Sequence, residues 1–210
     1  MLRFEENQTV LFIGDSITDC GRSRENPEQL GGGYVNMTAA CLGTMLPEFR
    51  LRVLNLGISG NRVCDLKTRW TADCLDQKPD ILSVFIGIND TWRRYDRNNP
   101  TSTEAFAADY RKILAAVRKK RPGCQIILIE PFVLPVPADR KAWREDLDPK
   151  IAAVRELALE FADAYVPLDG IFAAAAVRRE PAFWAADGVH PSPAGHMLIA
   201  ESWLTAAGLA

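Results

Sequence analysis

The chain has 210 residues, with 25 basic and 27 acidic side chains, five cysteines and two histidines. At 48% hydrophobic and 25% charged it has the composition of a folded globular protein of about one domain, and a formal charge of −2 gives no global attraction to nucleic acid or anionic lipid. No apolar run approaches the roughly 18 residues of a membrane span, and the opening MLRFEENQ carries acids where a signal peptide has its basic region, so the expectation is a cytoplasmic protein with neither a nucleic-acid nor a membrane partner.

Val10–Ile13 is the first predicted strand, and Gly14-Asp15-Ser16-Ile17-Thr18-Asp19 follows it. Gly31-Gly32-Gly33 then opens a helix but lacks the lysine and spacing of a phosphate-binding loop. A second strand, Arg52–Leu56, leads into Gly57-Ile58-Ser59-Gly60-Asn61, and a third, Ile81–Ile86, into Gly87-Ile88-Asn89-Asp90. The polar stretch 87–101 reads as irregular. Phe106, Tyr110, Ile113, Leu114 and Val117 then make one helical stripe, whose basic end, Arg118 to Arg121, suits the helix dipole.

The fourth predicted strand is Gln125–Ile129, followed by an irregular segment, 131–140. Asp148-Pro149 reads as an N-cap and first helical residue, or as a kink in a longer helix, ahead of a stripe through Ile151, Val154, Leu157, Ala158 and Phe161. The fifth strand is Ala164–Leu168, and the last helix runs from about Ser192 to Ala206, just after Asp187-Gly188-Val189-His190-Pro191. Strands apolar on both faces, alternating with amphipathic helices, predict one domain over 1–210. Its class is α/β, a three-layer αβα sandwich around a five-stranded, mostly parallel sheet. Ligands of such sheets bind at the carboxyl ends of the strands, where the glycine-containing segments cluster.

Those segments supply a serine hydroxyl, exposed backbone N–H groups, a side-chain amide, and a carboxylate three residues before an imidazole. These are the parts of acyl transfer. A serine becomes nucleophilic when an imidazole takes its proton, a carboxylate fixes the imidazole tautomer, and donors stabilise the oxyanion. The imidazole has to be His190 or His196. His196 falls inside the last predicted helix, whereas His190 lies on a loop behind Asp187, so His190 is the candidate base. Two histidines exclude a three-histidine zinc site. Cys20, Cys41, Cys64, Cys74 and Cys124 contain no C-x-x-C and suit free thiols.

In order and separation these four blocks resemble those of the SGNH hydrolases, or GDSL-type esterases and lipases, from residue 10 to about 200. Gly-Asp-Ser-Ile-Thr-Asp resembles the first block, Gly57 the second-block glycine, Asn89 the third-block asparagine, and Asp187 with His190 the last block. The stretches 55–61, 87–96 and 190–197 look nearest to the acetylxylan-esterase-like branch. The resemblance implies a flavodoxin-like fold and a cofactor-free, metal-free serine esterase. Ser16 would be nucleophile, His190 base and Asp187 its orienting partner, with the N–H groups of Ser16 and Gly57 and the Asn89 amide as oxyanion hole. Thr18 stands where G-x-S-x-G needs its second glycine, so a strained nucleophile elbow is not expected.

The expected partner is a small-molecule ester, with acetylated xylo-oligosaccharides favoured over lysophospholipids and acyl thioesters. Asp15, Trp92, Arg93 and Tyr95 are candidate substrate-binding residues. Asp15 and Asp90 also read as loop-holding acceptors, and the Trp92–Tyr95 stretch also reads as a subunit interface or as loop packing. Trp92, Trp143 and Trp184 are the candidate interface aromatics of a homo-oligomer. Two other classes remain at this point: a metal-dependent phosphoesterase built on Asp15, Asn89, Asp90 and His190, and a catalytically silent binding module.

Overall fold

A strand covered on both sides must be apolar on both sides, and β1 (Thr9–Gly14) is: Val10 and Phe12 enter one hydrophobic cluster, Leu11 and Ile13 the other. The computed structural model describes residues 1–209. β1 pairs with β2 (Arg52–Asn55) on one side and β3 (Ile81–Phe85) on the other. β4 (Gln125–Ile129) and β5 (Ala164–Val166) complete an all-parallel sheet of order β2-β1-β3-β4-β5. Parallel pairing obliges each connection to cross back over the sheet, and these crossovers carry the helices. They are α1 (Ser16–Asp19) and α2 (Tyr34–Met45) after β1, α3 (Val63–Trp70) after β2, and α4 (Ile88–Arg97) and α5 (Thr103–Lys120) after β3. After β4 comes α6 (Arg144–Phe161), and after β5 come α7 (Leu168–Arg178), α8 (Pro181–Trp184) and α9 (Pro193–Ala207).

Two apolar layers hold the sandwich together. On one face, Tyr34, Val35 and Leu42 of α2, Phe172 of α7 and Ile199, Trp203 and Leu204 of α9 pack on Val10, Phe12, Phe85, Ile127 and Ile129. On the other, Leu66 and Trp70 of α3, the α5 stripe, and Val154 and Leu157 of α6 pack on Leu11, Ile13, Leu82, Val84, Ile126 and Leu128. Each such side chain contributes about 1.5–3 kcal/mol on leaving water. The chain order puts a switch point between β1 and β3, because the chain leaves β1 for one edge of the sheet and β3 for the other.

Two local readings are corrected. Residues 88–97 are not irregular but form α4; Gly87 precedes it with φ +137° and Asn98 ends it in the left-handed region. The buried residues of α4 are consecutive, Ile88 to Thr91, and Arg93, Arg94, Asp96 and Arg97 make its second half polar, although Ile88, Trp92 and Tyr95 keep the helical i, i+4, i+7 spacing. Asp148 is not an N-cap; of the two alternatives the longer helix holds, since α6 already starts at Arg144 and has Pro149 inside it. The carbonyl that Pro149 leaves without a donor belongs to Glu145. Both residues are exposed, which leaves this end of the helix open to solvent. Asp148 pairs with Arg144 at 2.6 Å, and the buried Lys150 reaches Asp146 at 2.5 Å. Strand five ends at Val166 because Pro167 has no N–H to continue the ladder and Leu168 begins α7.

Phe132, in the segment after β4, is 1% exposed and stacks on Phe172 with ring centroids 4.1 Å apart. Phe132→Ala is expected to lower stability by about 3–5 kcal/mol. The measurement is a urea midpoint, and an unchanged midpoint contradicts this packing.

Candidate active site

Gly14 ends β1 opposite Phe85 of β3. A Cβ there would lie 2.2 Å from the Phe85 carbonyl oxygen and 2.5 Å from Thr18 Oγ1, so only glycine fits. The chain then turns at once into α1, whose N-cap is Asp15: its Oδ1 accepts the Ile17 N–H at 3.0 Å. Ser16, as first residue of α1, is left partly exposed at the carboxyl end of the sheet, and its N–H has no carbonyl one turn back to bond.

The other half of the constellation comes from the turn before α9. Gly188 sits at φ +81°, where a Cβ would meet the Val136 carbonyl at 2.3 Å, and its own carbonyl accepts the Leu134 N–H at 2.9 Å. The turn is thereby tied to the segment after β4. Within it, Asp187 Oδ1 accepts the N–H groups of Val189 and His190 at 2.9 and 2.7 Å, while Oδ2 lies 2.7 Å from His190 Nδ1. Nδ1 is therefore the protonated ring nitrogen. The free Nε2 lies 2.9 Å from Ser16 Oγ, whose O–H it accepts. The structure brings Ser16, His190 and Asp187 into one hydrogen-bonded chain across 174 residues of sequence.

Gly57 does not present its N–H to this edge. That group donates to Asn55 Oδ1 at 2.9 Å, and a Cβ at Gly57 would lie 2.3 Å from the Asp19 amide nitrogen. Its carbonyl accepts from Arg22 Nε at 2.7 Å and Arg24 Nη1 at 3.0 Å, so Gly57 holds the loop against α1. The glycine with a free amide is Gly60, three residues on. It sits at φ +83°, and its N–H makes no hydrogen bond to another described residue. The one atom within 4 Å of a Cβ built on it is Arg93 Nη2, at 4.0 Å. The repeat of glycine in 57–60 was the available sequence signal.

Asn89, 3% exposed in the first turn of α4, donates from Nδ2 to the Asn61 carbonyl at 3.1 Å and accepts at Oδ1 from Arg93 Nη2 at 3.4 Å. Its neighbour Asp90 accepts the Val63 N–H at 3.1 Å, capping α3. Two adjacent side chains of α4 thus clamp the loop that carries Gly60.

The candidate substrate contacts separate. Asp15 is 1% exposed beneath α1 and has no open face toward a ligand. Arg93 turns inward to Asn89 and pairs with Asp96. Trp92 lies beside the triad, its ring centroid 5.7 Å from that of His190 and 5.2 Å from that of Trp143. Tyr95 stacks on Trp143 at 5.3 Å, and its hydroxyl donates to the Ala142 carbonyl at 2.8 Å. Arg140 covers the Trp143 ring at 4.0 Å and donates to the Asp187 carbonyl at 3.3 Å, so this aromatic layer also supports the triad turn. Trp143 is 2% exposed inside that layer, and Trp184 Nε1 donates to the Ala175 and Arg179 carbonyls.

The two histidines occupy opposite electrostatic settings. The hydrogen bond to Asp187 raises the His190 pKa above its ordinary 6.5, against an opposing effect of burial. Burial pushes the Asp187 carboxyl upward too, but the bonds from the His190 ring and from two backbone N–H groups outweigh it and hold the acid well below its usual range. His196 is 6% exposed; its Nδ1 accepts the Tyr34 N–H at 3.1 Å, serving as the missing cap of α2, and Nε2 faces Cys20 Sγ at 3.5 Å. Burial, with the His190 charge, lowers its pKa to about 4. Burial raises both Asp15 and Asp90 to about 7, against their backbone hydrogen bonds. Among the described residues no group of three His, Cys, Asp or Glu side chains is placed to hold a metal ion, and no helix is long and apolar enough to cross a membrane.

An NMR titration of the two imidazoles is therefore expected to give one midpoint above 6.5 and the other near 4. Two midpoints close to 6.5 contradict these environments.

Known proteins resemble this chain in sequence and fold. Residues 12–198 match the profile of the GDSL-like Lipase/Acylhydrolase family. An acetylxylan esterase of Geobacillus stearothermophilus is 38% identical over 213 residues, covering 99% of this chain and 97% of its own. A GDSL-like lipase structure from Parabacteroides merdae superposes with a TM-score of 0.95 at 38% identity, over 100% of this chain and 99% of that one. Structures of the Geobacillus esterase with a serine, an aspartate or a histidine replaced by alanine, each described as a catalytic mutant, superpose at TM-scores of 0.89, 0.90 and 0.90. They are 36% identical to this chain and cover 99–100% of it and 97–98% of their own length. This chain belongs to the GDSL-like lipase/acylhydrolase family.

Proposed function

We propose that the protein is a serine esterase that removes acetyl groups from acetylated xylo-oligosaccharides, with its 210 residues acting as one hydrolase domain. The observation that carries this reading is the continuous relay from Ser16 Oγ to His190 Nε2 at 2.9 Å and from His190 Nδ1 to Asp187 Oδ2 at 2.7 Å. Ser16 attacks the ester carbonyl while His190 Nε2 takes its proton. The charge on the carbonyl oxygen is met by the Ser16 N–H, the Gly60 N–H and the Asn89 amide. As the tetrahedral adduct collapses, His190 returns the proton to the departing sugar hydroxyl, leaving acetyl-Ser16. The same ring then takes a proton from water, whose oxygen attacks the acyl carbon, and gives it back to Ser16 as acetate leaves. Asp187 stays ionised throughout and stabilises the imidazolium formed in each half-reaction.

Gly60 replaces the Gly57 of the sequence expectation because an N–H already held by Asn55 is a weaker donor to an oxyanion, whereas the Gly60 N–H is free. Two features favour a short acyl group on a sugar. Ser16 lines neither the cavity of about 720 Å³ at the amino end of the strands, around Arg3, Gln8, Asp80 and Gln125, nor the apolar one of about 400 Å³ around Val133, Leu134 and Ala173. Trp92, partly buried beside His190, offers an aromatic face of the kind that packs on a pyranose ring. The likeness to the Geobacillus acetylxylan esterase supports the same substrate.

Acetyl esters are expected to be hydrolysed faster than octanoyl esters of p-nitrophenol, and acetate to be released from acetylated xylo-oligosaccharides. Ser16→Ala should abolish turnover with an unchanged circular dichroism spectrum, and Asn89→Ala should lower kcat on the order of 10²–10³-fold. A clear preference for octanoyl removes the acetyl assignment, and an active Ser16→Ala removes the serine mechanism.

A further inference from the structure

Helix α4 carries Asn89, Arg93 and Asp96 at i, i+4 and i+7, which places the three side chains on one face. Arg93 is the middle member. Its Nη1 pairs with Asp96, its Nη2 donates to Asn89 Oδ1 at 3.4 Å, and the same Nη2 is the atom nearest the open side of Gly60. The side chain is 17% exposed, so it is packed against the site and not ranging through solvent. The other edge of the Asn89 amide faces the Asn61 carbonyl at 3.1 Å.

An asparagine amide offers a donor edge and an acceptor edge, and a half-turn about its terminal bond exchanges them. Only the donor edge can stabilise an oxyanion; the acceptor edge would repel it. We propose that Arg93 is a positioning residue of the oxyanion hole: it holds the Asn89 amide with its carbonyl turned to the guanidinium and its NH2 edge turned to the reacting oxygen. This rests on the hydrolase reading above. In the half-turned state the NH2 group would face the guanidinium donor, and the amide oxygen would face the Asn61 carbonyl. Both contacts are repulsive, so the guanidinium and the carbonyl exclude that state together. Asp96 keeps the guanidinium from swinging toward substrate. The guanidinium also places a positive charge between Gly60 and Asn89, two of the three assigned donors. Arg93 thus acts through Asn89, where the sequence expectation had it touching the sugar.

A double-mutant cycle on kcat for p-nitrophenyl acetate tests this, with Ser16→Ala measured alongside. Arg93→Ala is expected to lower kcat about ten-fold with KM held within about two-fold, since the lost interaction serves the transition state. In an Asn89→Ala background the same change should cost less than about two-fold, because the group it positions is gone. Arg93→Lys, which keeps a cation but not the planar fork that reaches Asp96 and Asn89 together, should retain more kcat than Arg93→Ala and less than the parent. If Arg93→Ala does not fold by circular dichroism, Arg93→Met, which keeps the apolar stem without the donor, takes its place in the cycle. Losses that multiply independently overturn the proposal. So does a loss confined to KM for acetylated xylo-oligosaccharides, which would make Arg93 a sugar contact. An active Ser16→Ala would overturn the hydrolase reading itself, whereas an inactive Ser16→Ala with an additive cycle removes only the role of Arg93.

Discussion

From the carboxyl end of β1 the chain goes to one edge of the sheet, and from that of β3 to the other. No crossover helix therefore covers the crevice between them. The close approach of these strands is the constraint on which the site depends: at Gly14 a side chain would collide with the Phe85 carbonyl. With the backbones in contact, the turn after β1 delivers Ser16 and the turn after β3 delivers Asn89 to the same opening. The loop after β2 is pulled in by the Ile58 N–H bonding to the Gly14 carbonyl at 3.0 Å, which brings Gly60 along. The triad turn arrives from the far end of the chain and is fastened through Gly188 to the segment after β4.

Burial and hydrogen bonding then sort chemically identical groups into different roles. His190 keeps one nitrogen on a carboxylate and one toward solvent and Ser16, so it can gain and lose a proton during turnover. His196 has lost most of its solvent and accepts a helix N–H, an arrangement that protonation of Nδ1 would break. As pH falls below the ordinary histidine value, the unfolded chain takes up a proton that folded His196 refuses until about 4, and stability from this ring is lost over that interval. Asp187 receives three hydrogen bonds and stays ionised, while Asp15 and Asp90, buried with one oxygen each unpartnered among the described residues, titrate near 7. Ionised Asp15 also reinforces the raised pKa of His190.

Features with a strong local cause were legible in the sequence. Short apolar runs, several of them apolar on both faces, located all five strands, with β5 two residues too long because Pro167 was read as strand. Asp187 and His190 could be paired because a three-residue spacing lets a carboxylate meet a ring within one turn, whereas the partnership with Ser16 depends on the fold. What was missed depends on contacts that leave no trace in residue type. Gly57 and Gly60 are the same amino acid, and only the Asn55 side chain, which occupies one amide and not the other, separates them. Helix α4 carries Arg93, Arg94, Asp96 and Arg97 in its second half, so it reads as a loop even though Ile88, Trp92 and Tyr95 share one face. Arg93 reads as a charge free to bind substrate until the helix turns it onto Asn89.

In the proposed mechanism, burial and hydrogen bonding at the β1–β3 crevice make one hydroxyl nucleophilic through one imidazole. This activation is tested most directly by the rate of covalent modification with a fluorophosphonate, followed by intact mass and peptide mapping in the parent and in His190→Ala. A single adduct per chain, located on Ser16, is expected, with a rate that collapses in His190→Ala while His196→Gln retains the labelling. An adduct at another residue, or labelling of Ser16 at the parental rate without His190, would contradict it.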